Sequence, residues 1–100
     1  MAVSNLRVRV MEIIGNCPVF RKDDSFLIEQ GFILQNPHAS PICLHSLSSL
    51  LHYHVALSHG IRPASIGLNK NDENIAYVQC LDPCQFTGGG TVVFKVEVLE

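Results

Sequence analysis

Two stretches of strict alternation lie near the two ends of this chain, and they require it to form a sheet. Leu6, Val8 and Val10 alternate with Arg7, Arg9 and Met11, while Val92, Phe94, Val96 and Val98 share one parity with Lys95 and Glu97 on the other. A period of two sends successive side chains to opposite faces of a strand, so each segment has one face for a core and one that is partly wet. A sheet with one apolar face needs a second layer to cover it. The middle of the chain supplies that layer. Ser40 and Pro41 read as N-cap and first helical residue. Leu44, Leu47, Leu51 and Val55, with Leu50 and Leu57 beside them, recur at helical spacing. The helix is expected to end near His59, with Gly60 as its left-handed C-terminal residue.

The first strand is expected to run from Leu6 to Ile14. Phe26 to Ile28 and Phe32 to Leu34 read as two short strand pieces around a turn or bulge at Gly31. Ile75 to Cys80 and Thr91 to Val98 read as an antiparallel hairpin, after a polar connection from Ile61 to Asn74. One hundred residues with 47% apolar content suffice for one core. The expected fold is therefore α+β: a single small domain over residues 1–100, with four or five short, mostly antiparallel strands and one main helix packed on the sheet.

Seven basic against nine acidic residues give a net charge of −2. That lacks the positive footprint of phosphate-backbone binding, so nucleic acid is not an expected partner. Arg7, Arg9, Arg21 and Lys22 read as a solvated face. No apolar run reaches the roughly 20 residues of a membrane span, and Met1 to Asn5 lacks the pattern of a signal peptide. The expectation is a cytoplasmic protein with no membrane partner. Only 16% of residues are charged and the mean hydropathy is +0.23, which suggests a homo-oligomer with part of its surface covered.

Four cysteines stand beside prolines at expected loops and element ends: Cys17 in Gly-Asn-Cys-Pro, Cys43 in Ser-Pro-Ile-Cys, and the pair in Cys80-Leu-Asp-Pro-Cys84. In a reducing compartment such thiols are free, metal-bound or transiently oxidised. Strand ends and helix starts share an edge of a two-layer fold, so thiols from separate segments can converge there. Cysteine sulfur suits zinc and iron–sulfur clusters. On this reading Cys17, Cys43 and Cys80 are ligands, Cys84 or His38 fills a fourth position, and Asp82 is a hydrogen-bond acceptor behind them. The spacing differs from that of a structural zinc site, which shows two close pairs; this chain has only Cys80 and Cys84.

Two other readings stand beside the metal site. Cys43, at the expected third helical position, lies where free backbone N–H groups favour an anionic sulfur. It would then be the attacking thiol of a redox protein, with Cys80 or Cys84 as resolving partner. Alternatively, the cysteines are inert small hydrophobes of a noncatalytic, homo-oligomeric interaction domain; Cys80 continues the parity of Ala76 and Val78.

The remaining polar residues carry less chemistry. His45, His52 and His59 recur every seven residues, and about 10.5 Å separates neighbours, so they read as a polar helix face, with His54 on another. Ser46, Ser48 and Ser49 lack a nucleophile elbow. Gly88-Gly89-Gly90 precedes a strand rather than a helix, so it reads as a flexible hairpin loop and not as a phosphate cradle.

Gly15-Asn16-Cys17-Pro18, Asp24-Ser25-Phe26 with Gly31, Ile42-Cys43, Cys80-Leu81-Asp82-Pro83 and Val92-Val93-Phe94 together resemble a family of small uncharacterised prokaryotic proteins. The resemblance covers most of the chain and implies Cys17, Cys43, Cys80 and Asp82 as the family positions, with Cys84 an addition. Many members have a Gly-His step shortly after the first cysteine; Phe20-Arg21 stands there in this chain. The family has no established activity to carry over.

Overall fold

The computed structural model of the protein describes residues 3–99; Met1 and Ala2, part of the stretch read for a targeting signal, and Glu100 lie outside the described residues. Five strands form one antiparallel sheet: β1 (Asn5–Gly15), β2 (Ser25–Glu29), β3 (Ile33–Gln35), β4 (Ile75–Gln79) and β5 (Gly90–Leu99), in the order β3-β2-β1-β5-β4. The two alternating segments thus become the central pair, although they come from opposite ends of the chain. Leu6, Val8, Val10, Phe26, Ile28, Ala76, Val78, Val92, Phe94 and Val96 are buried on the covered face. The α+β architecture is as expected, in one small compact domain.

Alternation in β1 fails at Met11, and the structure shows why. The register with β5 runs Val8↔Val96 and Val10↔Phe94, then shifts to Glu12↔Val93 and Ile13↔Val92. Met11 is the extra residue of a β-bulge. Were Met11 paired in the ladder rather than bulged, Glu12 would face Val92, which is 1% exposed. With the bulge Ile13 takes that place and Glu12 points outward. The bulge also brings Gly15 opposite Gly90.

The covering layer differs from the expected single helix. α1 (Leu44–Leu51) and α2 (His54–Ser58) are separated at His52 and Tyr53. Tyr53 leaves helical geometry (φ −120°, ψ −20°) and packs against the core. The run His52-Tyr53-His54-Val55 is aromatic and β-branched, which weakens the helix where that side chain turns inward. The start also moves. Ser40 and Pro41 stay in the connection, and Cys43 (φ −78°, ψ 131°) is the N-cap residue of α1 rather than its third residue.

The face presented to the sheet carries Leu50 and Leu57, with Leu47 partly covered. Ser46 and Ser58 are fully buried beside them, which lets the helical layer approach closely. Leu44, Leu51 and Val55, expected in the apolar stripe, are 78%, 64% and 53% exposed. Gly60 has φ +91°, as expected for the residue after the helix. Pro63 to Ile66 form a short 3₁₀ turn inside the expected surface connection, and Pro63 is buried. Among the described residues, no helix is long and apolar enough to cross a membrane.

Deleting Met11 should leave Glu12 opposite Val93 and Ile13 opposite Val92 in a ladder without the bulge, so the variant should fold cooperatively and change in stability by no more than about 1–2 kcal/mol. Urea unfolding of the deletion variant measures this; loss of the cooperative transition would show that Met11 is not a simple insertion between two regular stretches of ladder.

Candidate functional site

The thiols lie where the central strands and α1 meet at one end of the sheet. Cys17 follows β1, Cys80 follows β4 and Cys43 caps α1. All three line one cavity of about 260 Å³. Its apolar wall is Pro18, Val19, Phe20 and Val92, and its other polar lining side chains are His45 and Asp82. The fold thus brings Cys17, Cys43 and Cys80 to the wall of the same cavity.

Each thiol is held by its backbone surroundings. The Phe20 N–H donates to Cys17 Sγ at 3.3 Å, closing a tight turn over Cys17-Pro18-Val19. Phe20 is itself 4% exposed and meets Phe94 edge-on, with ring centroids 5.3 Å apart. Such a pair is worth about 0.5–1.5 kcal/mol beyond its area, so the Cys17 turn is anchored directly to the core. The Val92 N–H donates to Cys80 Sγ at 3.2 Å, and that thiol lies 3.6 Å from the Gly90 carbonyl as its own donor. At Cys43 the carbonyl accepts both the Ser46 N–H (3.1 Å) and the Ser46 hydroxyl (2.6 Å), which locks the first turn of α1.

Gly89 and Gly90 of the glycine run stand where a side chain would collide. A Cβ on Gly90 would stand 2.6 Å from the Cys17 nitrogen and 2.7 Å from the Asn16 carbonyl carbon. Only glycine lets the segment after β1 lie this close to the start of β5. Between β4 and β5 the chain also forms a short helix, α3 (Cys84–Thr87). The Thr87 hydroxyl donates to the Asp82 carboxylate, and the Gly89 N–H donates to Thr87 Oγ1 at 3.1 Å. The Thr91 hydroxyl donates to the Asp82 carbonyl at 2.6 Å, and the Asn16 N–H donates to the Gly89 carbonyl at 3.1 Å. These bonds tie the segments carrying Cys17 and Cys80 into one frame. Asp82 reaches the cavity, but its carboxylate is bonded within its own loop.

Cys84 does not join the other three. It lies in a separate depression with Ile14, Gln79, Pro83, Phe86 and Thr91. It stands at the start of α3 and outside the lining shared by Cys17, Cys43 and Cys80. His38 is exposed in the connection before α1 and is not part of the cavity lining either. His45, read from the sequence as one member of a polar helix face, is the histidine among the residues that line the cavity. Its signal was its position two residues after Cys43, in the turn that opens the helix.

All four cysteines are free thiols. Among the described residues, no three His, Cys, Asp or Glu side chains are grouped to hold a metal ion. A larger cavity of about 520 Å³ lies along β4 beside α1. Its serines are committed elsewhere: the Ser48 hydroxyl donates to the His45 carbonyl at 2.8 Å and that of Ser49 to the Gln79 carbonyl at 2.5 Å. The chemistry-bearing groups concentrate in the smaller cavity. Comparison with family models, with curated proteins and with solved structures finds no match to this chain.

Two outcomes follow from the geometry. Gly90→Ala should destabilise the fold by about 1–3 kcal/mol through overpacking, read as a lowered urea midpoint; an unchanged midpoint would mean that the close approach is dispensable. In timed alkylation of the native protein followed by peptide mass mapping, Cys80, 6% exposed, should be the last of the four cysteines modified. Early labelling of Cys80 would contradict its burial.

Proposed function

We propose that the protein is a small cytoplasmic iron–sulfur protein whose cluster is held by Cys17, Cys43 and Cys80. The observation that carries this reading is the convergence of three thiols, from three distant segments, on one cavity. The same reading draws on two backbone N–H groups already aimed at sulfur, from Phe20 to Cys17 and from Val92 to Cys80. Hydrogen bonds to ligand sulfurs, a mostly apolar surround and limited solvent access are the means by which a protein holds and tunes such a cluster.

Size favours a cluster over a single ion. Zinc with bonds to sulfur of about 2.3 Å needs its ligands drawn tightly together, whereas these thiols line a space of about 260 Å³. A multinuclear cluster spans more of it. When bound, the cluster would supply one-electron transfer or a Lewis-acidic iron.

The same cavity supports a second reading, in which Cys43 and Cys80 are a redox pair. They would pass two electrons and two protons to a partner disulfide, closing a Cys43–Cys80 bond as the partner is released as two thiols. Cys84 is not suited to the resolving role, because it lies outside the cavity. Self-association is compatible with either reading and draws on exposed Phe86, Leu44 and Phe32 (89%, 78% and 75%).

Anaerobic reconstitution with iron and sulfide tests the first reading. The parent and Cys84→Ser should develop visible charge-transfer absorption with matching iron and sulfide content, while Cys17→Ser, Cys43→Ser and Cys80→Ser should lose most of it. A colourless parent that takes up neither element would overturn the proposal. Diamide oxidation followed by disulfide mapping tests the second, which predicts a Cys43–Cys80 linkage.

A further inference from the structure

We infer that the outer edge of β4 is a binding site for one extended residue of a peptide. β4 ends the sheet, so half of its backbone groups have no strand beside them. The Cys80 N–H donates to the Val92 carbonyl and the Val98 N–H to the Asn74 carbonyl, each at 2.9 Å. Antiparallel pairing alternates residue by residue, so Asn74, Ala76, Val78 and Cys80 turn their backbone groups to β5 while Tyr77 and Gln79 turn theirs outward.

Two of the four outward groups on Tyr77 and Gln79 are already used. The Tyr77 N–H donates to the Leu68 carbonyl at 2.8 Å, and the Gln79 carbonyl accepts the Ser49 hydroxyl at 2.5 Å. The Tyr77 carbonyl and the Gln79 N–H have no such partner among the described residues. They flank Val78, and this is the acceptor and donor that a single residue of a parallel strand bonds together. The window is one residue long, closed by Leu68 at one end and Ser49 at the other. A longer added strand, including an edge of a second copy, would have to displace both covers.

The surroundings fit that occupant. The window opens on the cavity of about 520 Å³, a volume in the range of sites that take small ligands. A residue opposite Val78 carries its side chain on the same face of the sheet, the face that α1 covers. Tyr53 and Leu68 line this cavity and pack against the core, which favours an apolar side chain there. Backbone bonds then recognise the extended chain and the cavity selects the side chain, as in other additions to a sheet edge. No residue lines both this cavity and that of the thiols, so the inference is independent of what the cysteines bind.

Titration of the ¹⁵N-labelled protein with the capped tripeptides acetyl-Ala-Leu-Ala-amide and acetyl-Ala-Phe-Ala-amide tests it by NMR. The Gln79 amide signal should shift saturably. Methylating the nitrogen of the central residue removes the donor to the Tyr77 carbonyl and should weaken binding about 3- to 10-fold, the worth of one hydrogen bond. Gln79→Pro deletes an N–H that lies outside the β4–β5 ladder, a change an edge strand tolerates, and should weaken the unmethylated peptides by a similar factor. A Gln79 signal unmoved by either peptide, or equal affinity for methylated and unmethylated forms, overturns the inference whether or not Gln79→Pro folds. A signal that moves when the protein alone is concentrated, and not with peptide, assigns the edge to a second copy and overturns it as well.

Discussion

The pairing of β1 with β5 is the constraint on which the rest of the molecule depends. It joins segments near the two ends of the chain, contributes both central strands, and places Val8 against Val96 and Val10 against Phe94 at the middle of the core. Every other element is attached to this pair. β2 and β3 extend it on one side and β4 on the other, while α1 and α2 cover its apolar face. The bulge at Met11 lets one continuous strand obey this pairing along its whole length, despite a sequence whose parity changes partway.

The site is a by-product of the same pairing. β1 and β5 run antiparallel, so the end of the first strand arrives at the beginning of the last, and Gly15 meets Gly90. Cys17 therefore emerges next to the turn that follows Cys80. The helical layer contributes Cys43 because α1 begins over this end of the sheet. The arrangement couples thiol placement to core packing through Phe20, which contacts Phe94 on one side and closes over Cys17 on the other.

Much of the fold was legible because alternation and turn residues are local signals. Strands around Val8 and Val96 follow directly from parity and that at Phe26 from a short apolar run, and Gly31 and Gly60 (φ +84° and +91°) mark chain reversals as their type suggests. The convergence of Cys17, Cys43 and Cys80 could be anticipated from their positions at element ends. Other features depend on distant neighbours. The role of Gly90 is set by the backbone of Asn16 and Cys17, which no reading of Gly88-Gly89-Gly90 alone can contain. The start of α1 was misjudged because Ser40-Pro41 carries a local N-terminal signature, yet the Asn36 amide donates to the Ser40 carbonyl and the chain stays extended through Cys43. The inward face of the helices was misjudged for a related reason. Leucines surround much of α1, and buried Ser46 shows that close approach, not hydrophobicity alone, chose the orientation.

The Val92 N–H on Cys80, and the space that Gly90 leaves for Cys17, both come from the final strand. A growing chain consequently exposes Cys17, Cys43 and Cys80 one after another, and the enclosure is finished only after synthesis has reached β5. Whatever these sulfurs capture or react with must meet them as a set after translation has nearly ended, which separates maturation of the site from emergence of its individual parts.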